Sequence, residues 1–330
     1  MYNVTVHAPH LLSFAEWLQQ QIVEPVQVRV TPTFRDEDAI PLVADADIVI
    51  TSHWSVPLGQ AAKKMRFLQM PGAGWDKIDA AGIPDGVLVA NCYEHEQGIA
   101  EYVMMMALAL NRKLLEADRT IRMGVWRLFP AIGHPAYPEL GGRTMGIVGL
   151  GRIGRAVAKL AGAFGMRRIG VDIAPPSDEA RREIGLERAD GLDGLDALLA
   201  ESDFVVIATT LGETSRGMFN AERFAKMKPT AYLINPARAE ICEEADLYAA
   251  LHDRVIAGAG LDPWWHYPKT NEVVAPSAYP FQELDNVIMT PHTSGSTIET
   301  FDRRMQVVVD NINRYLRGEP VINVGAELSR

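Results

Sequence analysis

Three apolar, strand-like runs in the second half of the chain each end in a side chain suited to acid–base or anion chemistry. Leu233-Ile-Asn-Pro-Ala-Arg238 ends in a guanidinium. Ala257-Gly-Ala-Gly-Leu-Asp262 ends in a carboxylate, and Val287-Ile-Met-Thr-Pro-His292 in an imidazole. A guanidinium donates in a planar fork and stays charged, which suits a bound carboxylate. An imidazole titrates near neutrality, which suits proton transfer to or from an oxygen. In a parallel α/β sheet the carboxyl ends of the strands share the edge where ligands bind. Arg238, Asp262 and His292 are therefore expected to converge.

A second motif precedes them. Met145-Gly-Ile-Val-Gly-Leu-Gly-Arg-Ile-Gly154 places Gly149, Gly151 and Gly154 in GxGxxG spacing between a strand candidate and a helix candidate, Arg152 to Phe164. Gly149 allows the tight turn, Gly151 lets the backbone approach a pyrophosphate, and Gly154 lets the helix pack on the strand. The helix N-terminus, with Arg152 and Ile153, offers free N–H groups to phosphate. Asp172 ends the next strand candidate and suits a ribose diol while repelling a 2′-phosphate, so the pattern favours NAD over NADP.

These residues need a scaffold of alternating strands and helices. Strand candidates in the first part are Asn3–His7, Val26–Val30, Asp47–Thr51, Arg66–Gln69 and Val87–Ala90. A second set follows at Met145–Gly149, Arg168–Asp172, Phe204–Ala208, Ala231–Ile234, Ile256–Leu261 and Val287–Thr290. Val- and Ile-rich runs separated by helical segments predict parallel sheets with right-handed crossovers. One long helix is expected from Gln97 to Met123, apolar nearly all round between Ala100 and Leu110. Another is expected from Ser296 to Arg317, capped by Ser296 or Thr297. Residues 124–143, rich in Pro, Gly and aromatics, read as an extended arm, and Asp262 to Leu284 as a long loop.

The 330 residues suggest two domains, and the net charge of −10 argues against nucleic acid as a partner. Cys92 and Cys242 lie far apart and no His cluster has ligand spacing, so no metal site and no disulfide are expected. The start of the chain lacks signal-peptide character, and no apolar run is long enough to span a bilayer. The expected location is the cytoplasm, with no membrane partner.

The ordered motifs resemble the D-isomer-specific 2-hydroxyacid dehydrogenases, a family that includes D-3-phosphoglycerate, glyoxylate, phosphite and formate dehydrogenases. The resemblance runs through Gly72-Ala-Gly-Trp-Asp-Lys-Ile-Asp79, Ala100-Glu101, the glycine fingerprint, Thr214-Ser-Arg-Gly217, Asn235 to Arg238, and Asp285 to His292. It implies an α/β fold of two doubly wound parallel-sheet domains. Residues 1–97 and 293–330 would form a flavodoxin-like substrate domain, and 98–292 a Rossmann NAD-binding domain, with NAD and substrate in the cleft between them. It further implies that Arg238 holds the substrate carboxylate and polarises the carbonyl, and that His292 is the acid–base. N–H groups around Ala73 and Gly74 would bind the carboxylate. Asp262 would hold the nicotinamide carboxamide, and Thr209, Pro236, Ala237 and Gly295 would border the cofactor. A homodimer built on the helix near Met104 and the arm is also implied.

The chain departs from the family in places that bear on chemistry. Most members carry a Glu that pairs with the catalytic His. Here Asp262-Pro-Trp-Trp-His-Tyr-Pro268 puts Tyr267 at that position. The formate branch also lacks the carboxylate and has Gln. His95 stands where members have a substrate-binding Asn, and Thr210 where many have Pro. Trp54 follows the third strand, where relatives line the substrate pocket, and suggests a compact or apolar substrate side chain. Glu94, Glu96 and Glu272 are spare carboxylates without an assigned role. The expected function is interconversion of a small D-2-hydroxy acid and its 2-keto acid. The alternatives are formate- or phosphite-type chemistry and an NAD-sensing binding protein without catalysis. A carboxylate partner stabilises the imidazolium that reduction requires, and Tyr267 offers none. Ketoacid reduction is thus expected to weaken as pH rises through neutrality. Initial rates from about pH 6 to about pH 9 test this, and a flat profile contradicts it.

Overall fold

Strands buried on both faces build two wholly parallel sheets. Val4, Val6, Ile48, Ile50, Val205, Val206, Leu233 and Ile234 are all fully enclosed, as expected where helices cover both sides. The computed structural model describes residues 1–126, 129, 131, 133, 136–268 and 273–325. Two units divide the chain. The first gathers Met1–Glu94, Pro268–Val273 and the chain from Thr297, and the second gathers His95–Tyr267 and Val274–Ser296.

In chain order the first unit carries β1 (Tyr2–His7), α1 (Ala15–Gln21), β2 (Val26–Val30), α2 (Asp36–Val43), β3 (Ile48–Thr51), α3 (Val56–Ala61), β4 (Phe67–Gln69) and β5 (Leu88–Ala90). The second carries α4 (Glu96–Asn111), α5 (Leu114–Arg122), β6 (Thr144–Val148), α6 (Arg152–Ala163), β7 (Arg167–Val171), α7 (Asp178–Ile184) and β8 (Arg188–Asp190). It continues with α8 (Leu195–Glu201), β9 (Phe204–Ile207), α9 (Ala221–Lys226), β10 (Tyr232–Asn235), α10 (Glu244–His252), β11 (Gly258–Leu261) and β12 (Val287–Met289). The last helix, α11 (Ile298–Leu316), belongs to the first unit.

The first sheet has the order β2-β1-β3-β4-β5 and the second β12-β11-β10-β9-β6-β7-β8. The first is the flavodoxin-like order. The second is the dinucleotide-binding order with one strand added at the edge. The expected fold class, two doubly wound parallel-sheet domains, is what the chain adopts.

Helix α11 shows why the first unit needs its distant segment. Met305, Val308, Val309 and Ile312 recur at helical spacing and pack on Val4, Val6, Ile48, Ile50 and Phe67. Thr297 caps its start by accepting from the Thr300 N–H at 3.1 Å.

Two expectations are corrected. The stretch from Gln97 to Met123 is two helices, because Lys113 takes a left-handed backbone (φ 48°) that no α-helix continues through. Strand β8 was not expected at all. It is a three-residue edge strand with charged ends, and Arg188 pairs with Asp190 and Glu201, so it lacks any apolar alternation. The expected arm at 124–143 falls partly on residues 127, 128, 130, 132, 134 and 135, and the spare carboxylate Glu272 is also outside the described residues.

Asn311 ties α11 to its surroundings. It is fully buried, donates to Gln69 Oε1 at 2.9 Å and Ile322 O at 3.1 Å, and accepts from the Ile322 N–H at 3.0 Å. Replacing Asn311 with Ala leaves the buried Gln69 carbonyl and the part-buried Ile322 backbone short of a partner and should destabilise the protein by about 1–3 kcal/mol. Urea unfolding followed by tryptophan fluorescence measures it. A loss below about 0.5 kcal/mol would show that the network is not needed.

Candidate active site

The adjacent strands β12, β11 and β10 put His292, Asp262 and Arg238 beyond neighbouring carboxyl ends of one sheet. Asn235, at the end of β10, shapes the turn to Arg238. Its Oδ1 accepts from the Ala237 N–H at 3.0 Å and its Nδ2 donates to Arg238 O at 2.8 Å. Arg238 is half-buried and donates to Ala237 O at 2.8 Å. Pro236 and Ala237 are buried beneath it.

Asp262 organises the histidine loop. Its side chain is fully enclosed, and Oδ1 accepts from Thr290 Oγ1 at 2.6 Å and from the Thr293 N–H at 2.8 Å. Oδ2 accepts from the Ser294 N–H at 2.8 Å, and the backbone carbonyl accepts from the His292 N–H at 2.9 Å. His292 itself has φ 57°, a left-handed conformation unusual outside glycine. That bend turns successive N–H groups inward, forming a small anion-binding nest with a carboxylate as its guest. The Asp262 N–H also donates to Asn235 O at 3.2 Å, so one residue joins the arginine turn to the histidine loop. The enclosed carboxylate serves the loop.

Sequence reasoning missed the layer beneath. Because the Thr290 hydroxyl donates to Asp262, Tyr102 must donate to Thr290, at 2.7 Å. Burial pushes the Tyr102 phenol far above its ordinary range, which keeps this proton in place. Trp264 Nε1 donates to Thr290 O at 2.8 Å. Only the helical register of Tyr102 among apolar residues hinted at an inward side chain.

His292 is exposed, and its Nδ1 lies 2.7 Å from Tyr267 Oη. Tyr267 is therefore a direct contact of the imidazole. Burial raises the Tyr267 phenol above its usual pKa, opposed by the nearby Arg238 charge. Tyr267 consequently stays a neutral hydroxyl through the physiological range. His95, 8 % exposed, stands at the start of α4 with its Cβ side against Gly295.

The glycine loop fits a dinucleotide. A Cβ on Gly149 (φ 100°) would lie 2.6 Å from the Thr209 nitrogen, and one on Gly154 would lie 2.0 Å from Gly149 O. A Cβ on Gly151 would meet nothing within 4 Å, and no side chain caps the start of α6 there. Backbone is therefore packed where strand meets helix and open where a pyrophosphate would approach. Asp172 accepts from the Leu150 N–H at 2.6 Å and the Ala174 N–H at 2.9 Å, one donor per oxygen, which leaves acceptor capacity for a ribose diol. Arg152 is exposed and Ile153 partly buried on the same turn. Among the described residues no group of His, Cys, Asp and Glu could hold a metal ion.

The chain matches the family model for the D-isomer specific 2-hydroxyacid dehydrogenase NAD binding domain over residues 104–294. It is 34% identical over 289 residues to the glyoxylate reductase of Korarchaeum cryptofilum, covering 85% of this chain and 82% of that one. This chain belongs to the D-isomer specific 2-hydroxyacid dehydrogenase family. Among solved structures, an acyclic imino acid reductase in complex with NADPH and D-Arg superposes with a TM-score of 0.82 at 28% identity, over 98% of this chain and 99% of that one. A Granulicella formate dehydrogenase gives 0.79 at 26%, over 95% and 81%. The dehydrogenase is thus an NAD-dependent oxidoreductase, and the fingerprint at Gly149–Gly154 lies within the matched domain.

The first unit of the dehydrogenase carries the glycine loop after β4. Asn91, 1 % exposed and unremarked in the sequence, donates to Ala73 O at 2.9 Å and holds that loop from below. Among the described residues no backbone carbonyl accepts from the Ala73 or Gly74 N–H. Trp54 is a correction. It is 1 % exposed in a cluster with Leu58, Met70 and Ile78, and its Nε1 donates to Gly82 O at 2.9 Å. Its backbone pairs with the Lys77–Asp79 stretch, so it braces the loop. Trp54→Phe should lower stability by about 1–2 kcal/mol through the lost hydrogen bond and packing. Relative kcat/KM across a series of 2-oxo acids should not change. A changed ranking of substrates would return Trp54 to the pocket.

Proposed function

We propose that this dehydrogenase interconverts a small D-2-hydroxy acid and its 2-oxo acid. The observation that carries this reading is the Asp262 anchorage, which joins the Arg238 turn and the His292 loop on neighbouring strand ends. Arg238 binds the carboxylate in its fork and polarises the carbonyl oxygen. His292 delivers a proton through Nε2 to that oxygen in reduction and takes the hydroxyl proton in oxidation. Tyr267 holds Nδ1 and so aims Nε2. The N–H groups of Ala73 and Gly74 are donors for the carboxylate, and His95 is an additional polar contact for substrate. NAD, when bound, supplies the two-electron redox chemistry. Gly149, Gly151, Arg152, Ile153, Gly154, Asp172, Thr209, Pro236, Ala237 and Gly295 are proposed to surround it. The Asp172 carboxylate disfavours a 2′-phosphate, which supports NAD although one structural neighbour carries NADPH.

A formate-type reaction is the second reading. The neutral phenol on His292 favours it, because formate has no hydroxyl proton for a charged His–carboxylate pair to manage. We also propose a cytoplasmic homodimer. Met105, Leu108, Leu114, Leu115 and Ile121 are exposed large apolar side chains on two consecutive helices, α4 and α5, which supports an apolar contact there.

The deciding experiment is NADH oxidation against a panel of 2-oxo acids beside NAD reduction by formate. Turnover of a 2-oxo acid is expected, falling at least ~100-fold in Arg238→Ala. Tyr267→Phe should lower kcat by about tenfold and leave KM nearly unchanged. Turnover of formate alone would favour the second reading. NADH binding without turnover of either would point to a sensor.

A further inference from the structure

Helix α4 reaches the carboxyl edge of the second sheet through one side chain. It packs on β11 where that strand has glycine. A Cβ on Gly260 would lie 3.2 Å from the Cβ, Cγ and Sδ of Met106, so the bare backbone is what lets the helix come this close. Tyr102 stands one turn before Met106 on the same face of α4, and it is 7 % exposed. Its hydroxyl meets that of Thr290, the residue that follows β12.

Every polar group of Thr290 is engaged. Its N–H donates to Leu261 O at 3.0 Å, and its carbonyl accepts from Trp264 Nε1. Its hydroxyl donates to Asp262 and accepts from Tyr102. Pro291 comes next. The proline ring fixes its own φ and restricts the residue before it, so Thr290 passes its position to His292 through a stiff link. His292 in turn holds φ 57°, a backbone that costs energy and persists only while its surroundings over-determine it. The anchors that do so meet at Asp262. Three are N–H groups of the loop itself, from His292, Thr293 and Ser294. The fourth is the Thr290 hydroxyl, and it alone leads on to a helix. A hydroxyl that accepts a hydrogen bond becomes a better donor, so Tyr102 strengthens the Thr290–Asp262 bond.

We propose that Tyr102 is a positioning residue for His292, acting through the Thr290 hydroxyl on the Asp262 anchorage. This rests on the reading of His292 as the acid–base of the dehydrogenase. Without the phenol hydroxyl, one of the four anchors weakens and the loop spends more time outside the left-handed bend. Each relaxed molecule has its imidazole turned from the reacting oxygen, so turnover falls with the fraction relaxed. The Arg238 turn is shaped separately by Asn235, so binding of the acid is spared. The effect therefore enters kcat and leaves KM nearly alone.

Tyr102→Phe keeps the ring in its packing and removes only the donor. It should lower kcat about five- to tenfold with KM within about twofold of the wild type. Thr290→Val should do at least as much. The double variant should be no worse than Thr290→Val, because both changes break one chain. Thr290→Ser keeps the connecting hydroxyl and should retain most of the rate that Thr290→Val loses. Amide hydrogen exchange reads the loop without turnover. In Tyr102→Phe the Thr293 and Ser294 amides should exchange about five- to tenfold faster, while those of β6 keep their protection. Unchanged kcat and loop exchange in Tyr102→Phe would overturn the proposal. So would losses that multiply in the double variant, or faster exchange throughout the second unit, which would mark a general packing role. Faster loop exchange in a protein whose wild type turns over neither 2-oxo acid nor formate would support the tether from α4 while overturning the proposed reaction.

Discussion

A single enclosed carboxylate governs the geometry of the second unit. Asp262 accepts three hydrogen bonds through its side chain and one through its carbonyl, and its own N–H reaches Asn235. A buried anion is tolerated only when donors replace its lost hydration, and here they come from the loop that carries His292. The arrangement works in both directions. The loop satisfies the charge, and the charge holds the loop in the left-handed bend that exposes the imidazole. Removing Asp262 would strand inward N–H groups, and straightening the bend would strand the carboxylate.

Buried amides do the same task elsewhere. Asn235 forms the turn that presents Arg238, and Asn91 holds the loop that contains Ala73 and Gly74. None of these asparagines needs to touch a ligand. Each ends or follows a strand, where the ladder stops and backbone groups require new partners. The sheet edges are therefore rich in irregular backbone, yet that backbone is fixed.

The strands, the glycine fingerprint and the family were legible because they depend on local pattern. Val and Ile runs mark enclosed parallel strands, and Gly149 and Gly154 stand where no Cβ can fit. The helix break at Lys113 left no mark, since neither Gly nor Pro signals it. Strand β8 was hidden by its charges. Trp54 was placed by analogy with relatives and faces inward, because residue type alone does not reveal which side of a loop a side chain takes. Tyr267 was the reverse case. Its departure from the family was visible in sequence, while its contact with His292 Nδ1 required coordinates.

The return of α11 to the first unit has a consequence for synthesis on the ribosome. Between β5 and α11 lie roughly two hundred residues, which take about 10–40 s to translate. During that interval one face of the first sheet, with Val4, Val6, Ile48, Ile50 and Phe67, has no α11 to cover it. The second unit is nearly continuous and can close first. Until its final helix emerges, a nascent chain of this design carries an uncovered apolar sheet face in its amino-terminal part.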